Sequence, residues 1–596
     1  MSYDYIIVGA GSAGCILANR LSESGRHSVL LLEAGERDAS FWFKVPVGFT
    51  KTYYNRRYNW MYYSEPEAQL AERKLYCPRG KVVGGSGSIN AMVYVRGQRS
   101  DYDDWANAGN PGWAYDDVLP YFRKLETHAS GATDPQHHGS TGPIHITSMK
   151  ADVHPIVHEF LKGCGQLNLP RTDDFNGAQF EGAGIYDLNT KHGERCSSSF
   201  AYLRPALGRS NLTLRSGVLV RRVTFDGTRA TGVVVAGEHG DETLVAAREV
   251  ILSAGAVDTP KLLQLSGVGD PSLLARRRVP LVHALPAVGR NLQDHLCVSF
   301  YFKANRPTLN DEMGTLIGKM KIGLRYLLTK RGPLAMSVNQ AGGFFRGTDA
   351  TPEPNIQLYF NPLSYRIPKS DRASIKPEPY SGFLIAFNPC RPTSRGTIEI
   401  ASNRAEDAAK IHINALTTQK DLDEAVQGSK VIRALMRAPA LKSMTVEEIS
   451  PGPQVDSDEA MLQYFREQSG SIYHLCGSCA MGPDAATSVV DASLRVHGLQ
   501  ALRIVDASVF PNITSGNINA PTMMVAEKGA DLILADAQRT ETAGAPTPTR
   551  ETVPHCRAAA PLLHRPIGTP AAGTRENTAM NAPAARVHRL ETCIRF

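Results

Sequence analysis

The chain has 596 residues, of which 42% are hydrophobic and 21% charged, and its formal net charge is +7. This composition is typical of a soluble globular protein, and the length predicts two or more domains. The small positive excess does not indicate a nucleic-acid-binding protein. The 10 cysteines are spread thinly, without the pattern of a disulfide framework, which favours a reducing compartment.

The sequence predicts no transmembrane segment, because it contains no apolar run of about 18 residues or more. A secretory signal is not expected either, since a nucleotide-binding strand begins near Asp4 and cleavage would destroy it. We therefore expect a cytoplasmic protein. The sequence allows peripheral contact with the inner face of the membrane.

The N-terminal segment predicts a strand, a glycine-rich turn, a helix and a second strand. Tyr5 to Val8 form an apolar run, and Gly9, Gly11 and Gly14 follow in the spacing G-x-G-x-x-G. A second apolar run ends at Glu33. This order is typical of the βαβ unit that binds dinucleotides.

Each residue of this unit has a physical task. Gly9 permits the tight turn, Gly11 lets the backbone approach a pyrophosphate, and Gly14 lets the helix pack on the strand. The N-terminus of the helix attracts phosphate, and Glu33 can accept hydrogen bonds from ribose hydroxyls. The alternative is a glycine-rich turn in an ordinary α/β domain, and this stretch alone does not distinguish FAD from NAD.

The rest of the chain predicts an α/β protein (α+β overall), with a Rossmann-like nucleotide-binding domain and an inserted sheet-based substrate domain. Residues 1–295 form mainly the nucleotide domain, with excursions at 36–75 and 100–200, and residues 296–465 form mainly the substrate domain. Residues 466–536 return to the nucleotide domain, and residues 537–596 read as a disordered tail. Thr259 is expected to cap a helix that has Pro260 at its first position.

A second glycine-rich block runs from Pro78 to Gly97. Its many small residues would let the backbone approach a large planar ligand. A purely structural glycine loop is the alternative.

At this point the chain resembles the glucose–methanol–choline (GMC) oxidoreductases, which are FAD-dependent enzymes that oxidise alcohols. The resemblance covers roughly residues 3–536 and rests on several separated motifs. Besides the two glycine-rich segments, these motifs are Gly255-Ala-x-x-Thr259-Pro260 through Gly269, Gly289-Arg-Asn-Leu-Gln-Asp-His295, Tyr473-His-x-x-Gly-x-Cys-x-Met-Gly482, and Val505-Asp-Ala507 through Asn517-x-Asn-Ala-Pro-Thr522.

The resemblance implies FAD rather than NAD, and it assigns cofactor-binding residues one by one. Those expected at the ADP half are Gly9, Ala10, Gly11, Ser12, Gly14, Glu33 and, beside the adenine, Val220. Those expected along the pyrophosphate, ribityl chain and flavin are Val83, Gly84, Ser88, Asn90, Ala91, Met92, Val93, Asp506 and Ala507. Some family members carry a histidine linked covalently to FAD where this chain has Ile89, so we expect non-covalent FAD.

Removing hydride from an alcohol requires a base at the hydroxyl, and the resemblance assigns this role to His474. It implies a second polar residue opposite the base, for which Asn517 is the better fit and Asn519 the alternative. An asparagine amide can donate to the substrate oxygen and stabilise developing alkoxide charge. Tyr473 is expected to contact the substrate.

The substrate is predicted to be an uncharged primary alcohol. Choline-oxidising relatives tend to carry an acid before a Gly-Gly-Phe segment, where this chain has the neutral Gln340. A dehydrogenase that passes electrons to a quinone or another carrier is favoured over an oxidase that uses oxygen. The alternatives are an alcohol oxidase, a choline dehydrogenase, a redox-silent hydroxynitrile lyase on the same fold, and a non-catalytic flavin-binding protein.

Two further clusters are interpreted as structural. Cys476 and Cys479 have the spacing of a redox motif but overlap the turn after His474. For His128, His137, His138 and His145, no acidic or cysteine partners complete a metal site, so we predict a solvated loop.

Overall fold

The computed structural model describes residues 2–237, 240–366 and 376–544. Residues up to Thr540 form one compact unit, and a second unit, Glu541–Phe596, lies almost entirely outside the described residues. The predicted tail falls mostly in that part. Its first residues are an exception, because the last helix continues to Gly544, past the predicted start of the tail at residue 537.

Two seven-stranded sheets organise the chain. Their strands, in chain order, are β1 Ser2–Val8, β2 Val29–Glu33, β3 Gly182–Ile185, β4 Leu212–Ser216, β5 Val220–Asp226, β6 Arg229–Gly237, β7 Gly240–Leu252, β8 Leu296–Ala304, β9 Ala341–Phe345, β10 Ile356–Asn361, β11 Gly382–Pro389, β12 Thr445–Ser450, β13 Gly470–Ser471 and β14 Leu502–Ile504. Smaller sheets are formed by Tyr62–Tyr63 with Tyr76–Cys77, Thr190–Lys191 with Glu194–Arg195, Val268–Gly269 with His283–Ala284, Tyr365–Arg366 with Lys376–Pro377, Thr397–Glu399 with Lys410–His412, and Glu126–His128 with Ile144–Ser148 and Asp187–Leu188.

Helices cover both sheets. Those of nine or more residues in the described chain are α1 Ser12–Ser22, α2 Arg99–Asn107, α3 Tyr115–Leu125, α4 Ile156–Gln166, α5 Gly255–Leu265, α6 Leu316–Thr329, α7 Gln419–Arg437, α8 Asp458–Gln468 and α9 Asn519–Gly544. Shorter helical segments span Phe49–Thr52, Arg204–Ala206, Pro271–Arg276, Leu309–Met313 and Pro439–Met444.

The first sheet has the order β4-β2-β1-β7-β6-β5, and β14 also pairs with β7. Strands β4, β2, β1, β7 and β14 run parallel, whereas β5 and β6 are antiparallel additions. Strand β2 is buried along its whole length, which explains why it reads as a continuous apolar run, Val-Leu-Leu-Leu, before Glu33. The Rossmann-like prediction is confirmed.

The second sheet is antiparallel, with the order β12-β8-β11-β10-β9-β3, and β13 pairs with the start of β8. Side chains alternate between its two faces, as strand geometry requires. One face packs into a large apolar core with Phe300, Phe360, Phe383 and Phe387. The opposite face is available to line a cavity. The edge strand β3 comes from residues 182–185, so part of the 100–200 excursion belongs to this sheet.

The start of α5 differs from the prediction. The helix begins at Gly255, and Thr259 and Pro260 lie inside it. Proline has no N–H for the carbonyl of Ala256 four residues earlier, and that carbonyl instead accepts a hydrogen bond from the Ser478 hydroxyl at 2.6 Å. A distant side chain therefore compensates for the proline, which sequence spacing could not show.

Candidate active site

A single elongated cavity of about 400 Å³ extends from the end of β2 to the second sheet. Of the residues expected to bind the cofactor, those that line it are Gly9, Gly11, Ser12, Glu33, Asn90, Ala91, Met92, Val93, Val220, Asp506 and Ala507. His474, Tyr473, Asn517 and Asn519 also line it. The cavity therefore brings the nucleotide-binding motif and the candidate catalytic residues into one continuous space.

Glu33 closes the nucleotide end of the cavity. Its carboxylate accepts hydrogen bonds from the backbone N–H of Ala10 at 2.9 Å and of Gly35 at 2.8 Å. Burial raises the pKa of Glu33 to about 7, against the lowering effect of these two hydrogen bonds. A carboxylate held in this way has acceptor capacity left for ribose hydroxyls.

The glycine turn has the space that a dinucleotide needs. A Cβ on Gly14 would lie 1.9 Å from the carbonyl oxygen of Gly9, so α1 packs directly on the turn. A Cβ on Gly11 would have no heavy atom nearer than 3.9 Å, and Gly11 faces the cavity. The site therefore combines a cradle (the glycine turn Gly9–Gly14), an open helix N-terminus and a carboxylate. This combination fits the ADP half of FAD.

The second glycine-rich block buttresses this turn. Gly84 N–H donates to the carbonyl of Ala10 at 2.7 Å, and Val83 N–H donates to the carbonyl of Glu36 at 2.9 Å. The Ser88 hydroxyl donates to the carbonyl of Val83 at 3.0 Å. Val83, Gly84 and Ser88, with Ala10 and Gly14, are not among the residues that line the cavity. They instead hold in place the backbone next to the residues that line the cavity.

Asp506 joins its own turn to the start of α5. Its carboxylate accepts hydrogen bonds from Gly255 N–H at 2.8 Å, from the Thr259 hydroxyl at 2.6 Å and from Ser508 N–H at 2.8 Å. It thereby satisfies the Gly255 N–H at the start of α5, the function normally served by a local cap. Burial raises the pKa of Asp506, while these hydrogen bonds favour its charged form.

His474 lies at the other end of the cavity, beside His295 and Asn517. The Nδ1 atoms of His474 and His295 are 2.9 Å apart, and His474 Nε2 is 3.3 Å from Asn517 Nδ2. The pairing of β13 with the start of β8 sets Leu296 opposite Ser471, which brings the two histidines together across 179 positions of sequence. Asp294 holds the turn, accepting from His474 N–H at 2.8 Å and His295 N–H at 2.9 Å.

The hydrogen-bond partners determine which nitrogens carry protons. His295 Nε2 lies 2.7 Å from the carbonyl oxygen of Cys390, which can only accept, so His295 carries its proton on Nε2. Burial lowers the pKa of His295 to about 4, so the ring is neutral and its Nδ1 accepts. His474 must then donate from Nδ1, which leaves an unprotonated Nε2 beside Asn517 and the cavity.

Electrostatics keep His474 neutral as well. Burial lowers the pKa of His474 well below its ordinary value, and the field of His295 and Arg79 adds to this effect. The Arg79 guanidinium donates to the backbone carbonyl of Tyr473, and the Tyr473 hydroxyl is hydrogen-bonded to that of Tyr53. The base is thus held in its proton-accepting form on a turn fixed by an arginine.

The second sheet forms a neutral wall opposite this base. Its residues that line the cavity alternate along β8, β10 and β11, and they are Cys297, Ser299, Tyr359, Asn361, Leu384 and Ala386. None of them carries a charge at neutral pH. Tyr365, Tyr53 and Phe49 add aromatic surface. This part of the cavity is thus lined by apolar, aromatic and uncharged polar side chains.

Gln340 and Asn519 do not lie where their proposed roles require. Gln340 is buried and not among the residues that line the cavity, and its side-chain oxygen accepts from His154 N–H at 2.8 Å. The Asn519 side-chain oxygen accepts from the Ser12 hydroxyl at 2.8 Å, close to the glycine turn. Asn517, and not Asn519, is therefore the asparagine hydrogen-bonded to His474.

The histidines at 128 and 138 do not lie in a solvated loop, and they do have acidic partners. Both are buried, and their rings stack at 3.9 Å. His138 pairs with Glu126 at 2.9 Å and with Asp174 at 2.6 Å. Burial opposes its charge, but these hydrogen bonds raise the pKa of His138 to about 9. Both ring nitrogens of His138 are thus paired with carboxylates.

Cys476 and Cys479 are both buried and free of disulfides. Burial raises the pKa of each thiol well above its ordinary value, which opposes thiolate chemistry.

The sequence did not single out His295 or Asp294 as functional, although both belong to a quoted motif. Only the long-range pairing of β8 with β13 reveals their position beside His474.

The fold and site together define a dinucleotide-binding protein with a buried, neutral histidine at the far end of its cavity. Family models described as GMC oxidoreductase match residues 3–297 and 392–526. The chain belongs to the GMC oxidoreductase family, and it is an enzyme that acts on CH–OH donors. No helix among the described residues is long and apolar enough to cross a membrane.

Named relatives and solved structures agree with this assignment. The oxygen-dependent choline dehydrogenase of Photobacterium profundum is 42% identical over 538 residues, covering 90% of this chain and 93% of the relative. The mitochondrial choline dehydrogenase of Homo sapiens is 40% identical, with 89% of each chain covered. The crystal structure of pyridoxine 4-oxidase from Mesorbium loti matches with a TM-score of 0.80 at 30% identity, covering 89% of this chain and 98% of that one.

A second structural match extends the comparison to a flavin enzyme. The formate oxidase of Aspergillus oryzae, whose FAD modification has been examined by mutation, matches with a TM-score of 0.82 at 25% identity. The match covers 90% of this chain and 99% of that one. The family and these structures support FAD as the cofactor of the present chain, in agreement with the cradle at Gly9–Gly14.

Proposed function

We propose that this protein oxidises a primary alcohol to an aldehyde with non-covalently bound FAD. The observation that carries the proposal is the unprotonated Nε2 of a neutral His474, which lies on the cavity beside the Asn517 amide. His474 Nε2 accepts the hydroxyl proton, and Asn517 Nδ2 donates to the alcohol oxygen and steadies its developing negative charge. Bound FAD would supply the acceptor for the hydride that leaves the α-carbon.

Non-covalent binding of FAD is supported by Ile89. This residue lines the cavity where some relatives of the family carry a linking histidine, and an isoleucine side chain has no nucleophile. The yellow colour is therefore expected in the supernatant after acid precipitation of the protein. Colour retained in the pellet would refute this part of the proposal.

An uncharged alcohol is the favoured substrate, because the residues of the second sheet that line the cavity include no carboxylate. Choline is the second candidate. Tyr53, Tyr359, Tyr365 and Tyr473 line the same region, and aromatic faces can hold a quaternary ammonium. The names of the choline-dehydrogenase relatives support this second candidate, and the neutral wall supports the first.

A dehydrogenase that reduces a quinone or another carrier is proposed in preference to an oxidase, and cytoplasmic residence is proposed with it.

The experiment mixes purified protein anaerobically with choline, short and long aliphatic alcohols, and benzyl alcohol, and follows the flavin absorbance. Bleaching by one class identifies the substrate class, and readmitted air then separates oxidase from dehydrogenase. Cyanide release from a cyanohydrin without any bleaching would instead establish the lyase alternative.

Variants test the assigned residues in the same assay. His474→Ala is expected to retain FAD and to slow flavin reduction by about 100-fold or more. Asn517→Ala is expected to slow it less, because it removes one hydrogen bond to the alkoxide and leaves the base. Normal flavin reduction in His474→Ala would refute the role of the histidine without affecting the cofactor assignment.

A further inference from the structure

Helix α6, Leu316–Thr329, carries a concentrated exposed apolar surface. Six of the 13 large hydrophobic side chains that are exposed in the described chain lie on it, each 59% to 74% exposed: Leu316, Ile317, Met320, Leu324, Leu327 and Leu328. At about 100° per residue they fall within an arc of about 120°. Ile322 and Tyr326 on the other side are buried and attach the helix to the protein. Such a patch on a protein surface indicates a binding partner.

The charges carried by the helix and by the two residues after it are all positive. Lys319, Lys321 and Arg325 lie within the helix and Lys330 and Arg331 follow it, whereas residues 313–331 contain no aspartate or glutamate. Lys330 pairs with Glu194 and Arg325 with Asp152. Across the described residues, Lys319, Lys321 and Arg331 have no ion pair. The apolar arc is thus bordered by basic groups that remain available to an anionic partner.

We propose that α6 docks the protein on an anionic phospholipid membrane. A helix with a wide apolar face and a basic border lies in the plane of a bilayer interface, with its apolar side chains among the acyl chains and its Lys and Arg at the headgroups. The charge pattern disfavours a second copy of the same chain, because two α6 surfaces would bring like charges together.

The docked face adjoins the substrate cavity. The turn Pro333–Ala335 that follows α6 contacts the turn Pro46–Gly48, and Leu334 packs on an apolar cluster that contains Val47 and Val338. The residues just beyond these turns, Phe49, Val338 and Asn339, line the cavity. Membrane docking would therefore bring one wall of the cavity close to the bilayer, where a lipid-soluble electron acceptor or alcohol is concentrated.

The test is vesicle flotation of the full-length, FAD-loaded protein. We expect it to float with vesicles of phosphatidylglycerol and phosphatidylethanolamine, less in high salt, and to remain unbound with pure phosphatidylcholine. The double variant Leu324→Ser/Leu328→Ser should lose at least tenfold in bound fraction, and Lys319→Gln/Lys321→Gln should lose the salt-sensitive part. Leu281→Ser/Val446→Ser, which removes exposed apolar side chains elsewhere, should bind as the wild type does.

A second measurement covers the case in which the serine variant folds poorly. In Leu328→Trp the new indole should be quenched by brominated anionic lipids beyond the level of the wild-type tryptophans. Absence of this extra quenching, or failure of the wild type to float with anionic vesicles, overturns the proposal. The proposal is also overturned if the wild type is a dimer, the serine variant is a monomer, and neither protein binds vesicles. These measurements do not depend on turnover, so they stand apart from the proposed alcohol oxidation.

Discussion

The imidazole of His295 accepts a hydrogen bond from the imidazole of His474, Nδ1 to Nδ1, over 2.9 Å. His295 can accept because its own proton is fixed on Nε2 by the carbonyl of Cys390. The carbonyl of Cys390 therefore determines, through His295, which nitrogen of His474 carries the proton. It leaves His474 Nε2 as the group that can take a proton from an alcohol.

The role of His295 as a positioning residue can be tested by comparing two variants. His295→Phe keeps a ring but removes the acceptor, and we expect flavin reduction to slow by about 10- to 100-fold with little change in KM for the alcohol. His295→Asn keeps an oxygen that can accept, and should recover part of the rate. Stopped-flow reduction measures both. Equal rates in His295→Phe and the wild type would contradict the proton arrangement.

The pH dependence follows from the direction of the His474 pKa shift. A base acts in its deprotonated form, and burial lowers the pKa of His474 well below 6.5. Lowering the pKa moves protonation to more acidic pH, so the rate of flavin reduction should be constant as the pH falls to about 6.5 and decline only below it. An acidic limb centred above 6.5 would show that the imidazole is charged near neutrality.

Replacement of Glu33 tests the nucleotide end of the cavity. Glu33→Ala leaves the N–H groups of Ala10 and Gly35 without their acceptor and removes the group assigned to ribose, so FAD affinity should fall by about 10- to 100-fold. Equilibrium dialysis against FAD measures the loss. The control is Glu36→Ala, which removes an exposed carboxylate paired with Arg57 and should retain FAD. Equal affinity in the two variants would exclude the proposed role.

Asp506 is expected to matter for stability as well as for the cofactor. Asp506→Ala leaves three donors without their acceptor, and we expect a loss of about 3 kcal/mol in the free energy of unfolding. Asp423→Ala removes an exposed carboxylate bonded to Gln419 on α7 and should cost less than about 0.5 kcal/mol. Denaturant unfolding compares the two. Similar losses would show that the three hydrogen bonds to Asp506 contribute nothing special.

Residues whose task is local were predictable from the sequence. The strand before Gly9, the glycine turn and the strand that ends at Glu33 all follow from periodicity and glycine placement, and the structure has them. The contacts that shape the turn, from Glu33 to Ala10 and Gly35 and from Gly14 to Gly9, lie within one βαβ unit. Short stretches of sequence are therefore enough to predict these elements.

Residues whose task depends on distant segments were not predictable in the same way. Thr259 has the features of a helix cap, yet it lies inside α5 because Asp506 and Ser478 supply partners from far along the chain. His128 and His138 look like loop histidines until residues 126, 174 and 187 converge on them. His295 gains its role only from pairing with a segment 179 positions later. Tertiary pairing, not local propensity, decides each case.

The alternation of side chains along β8, β10 and β11 has a consequence for how this protein could diversify. Positions 297, 299, 359, 361, 384 and 386 face the cavity, whereas their immediate neighbours on each strand pack into the core on the other side. A change at any of these six sites reshapes the space around the alcohol and leaves the packed side of the sheet intact. New substrate ranges are thus within reach of single substitutions, with the chemistry at His474 untouched.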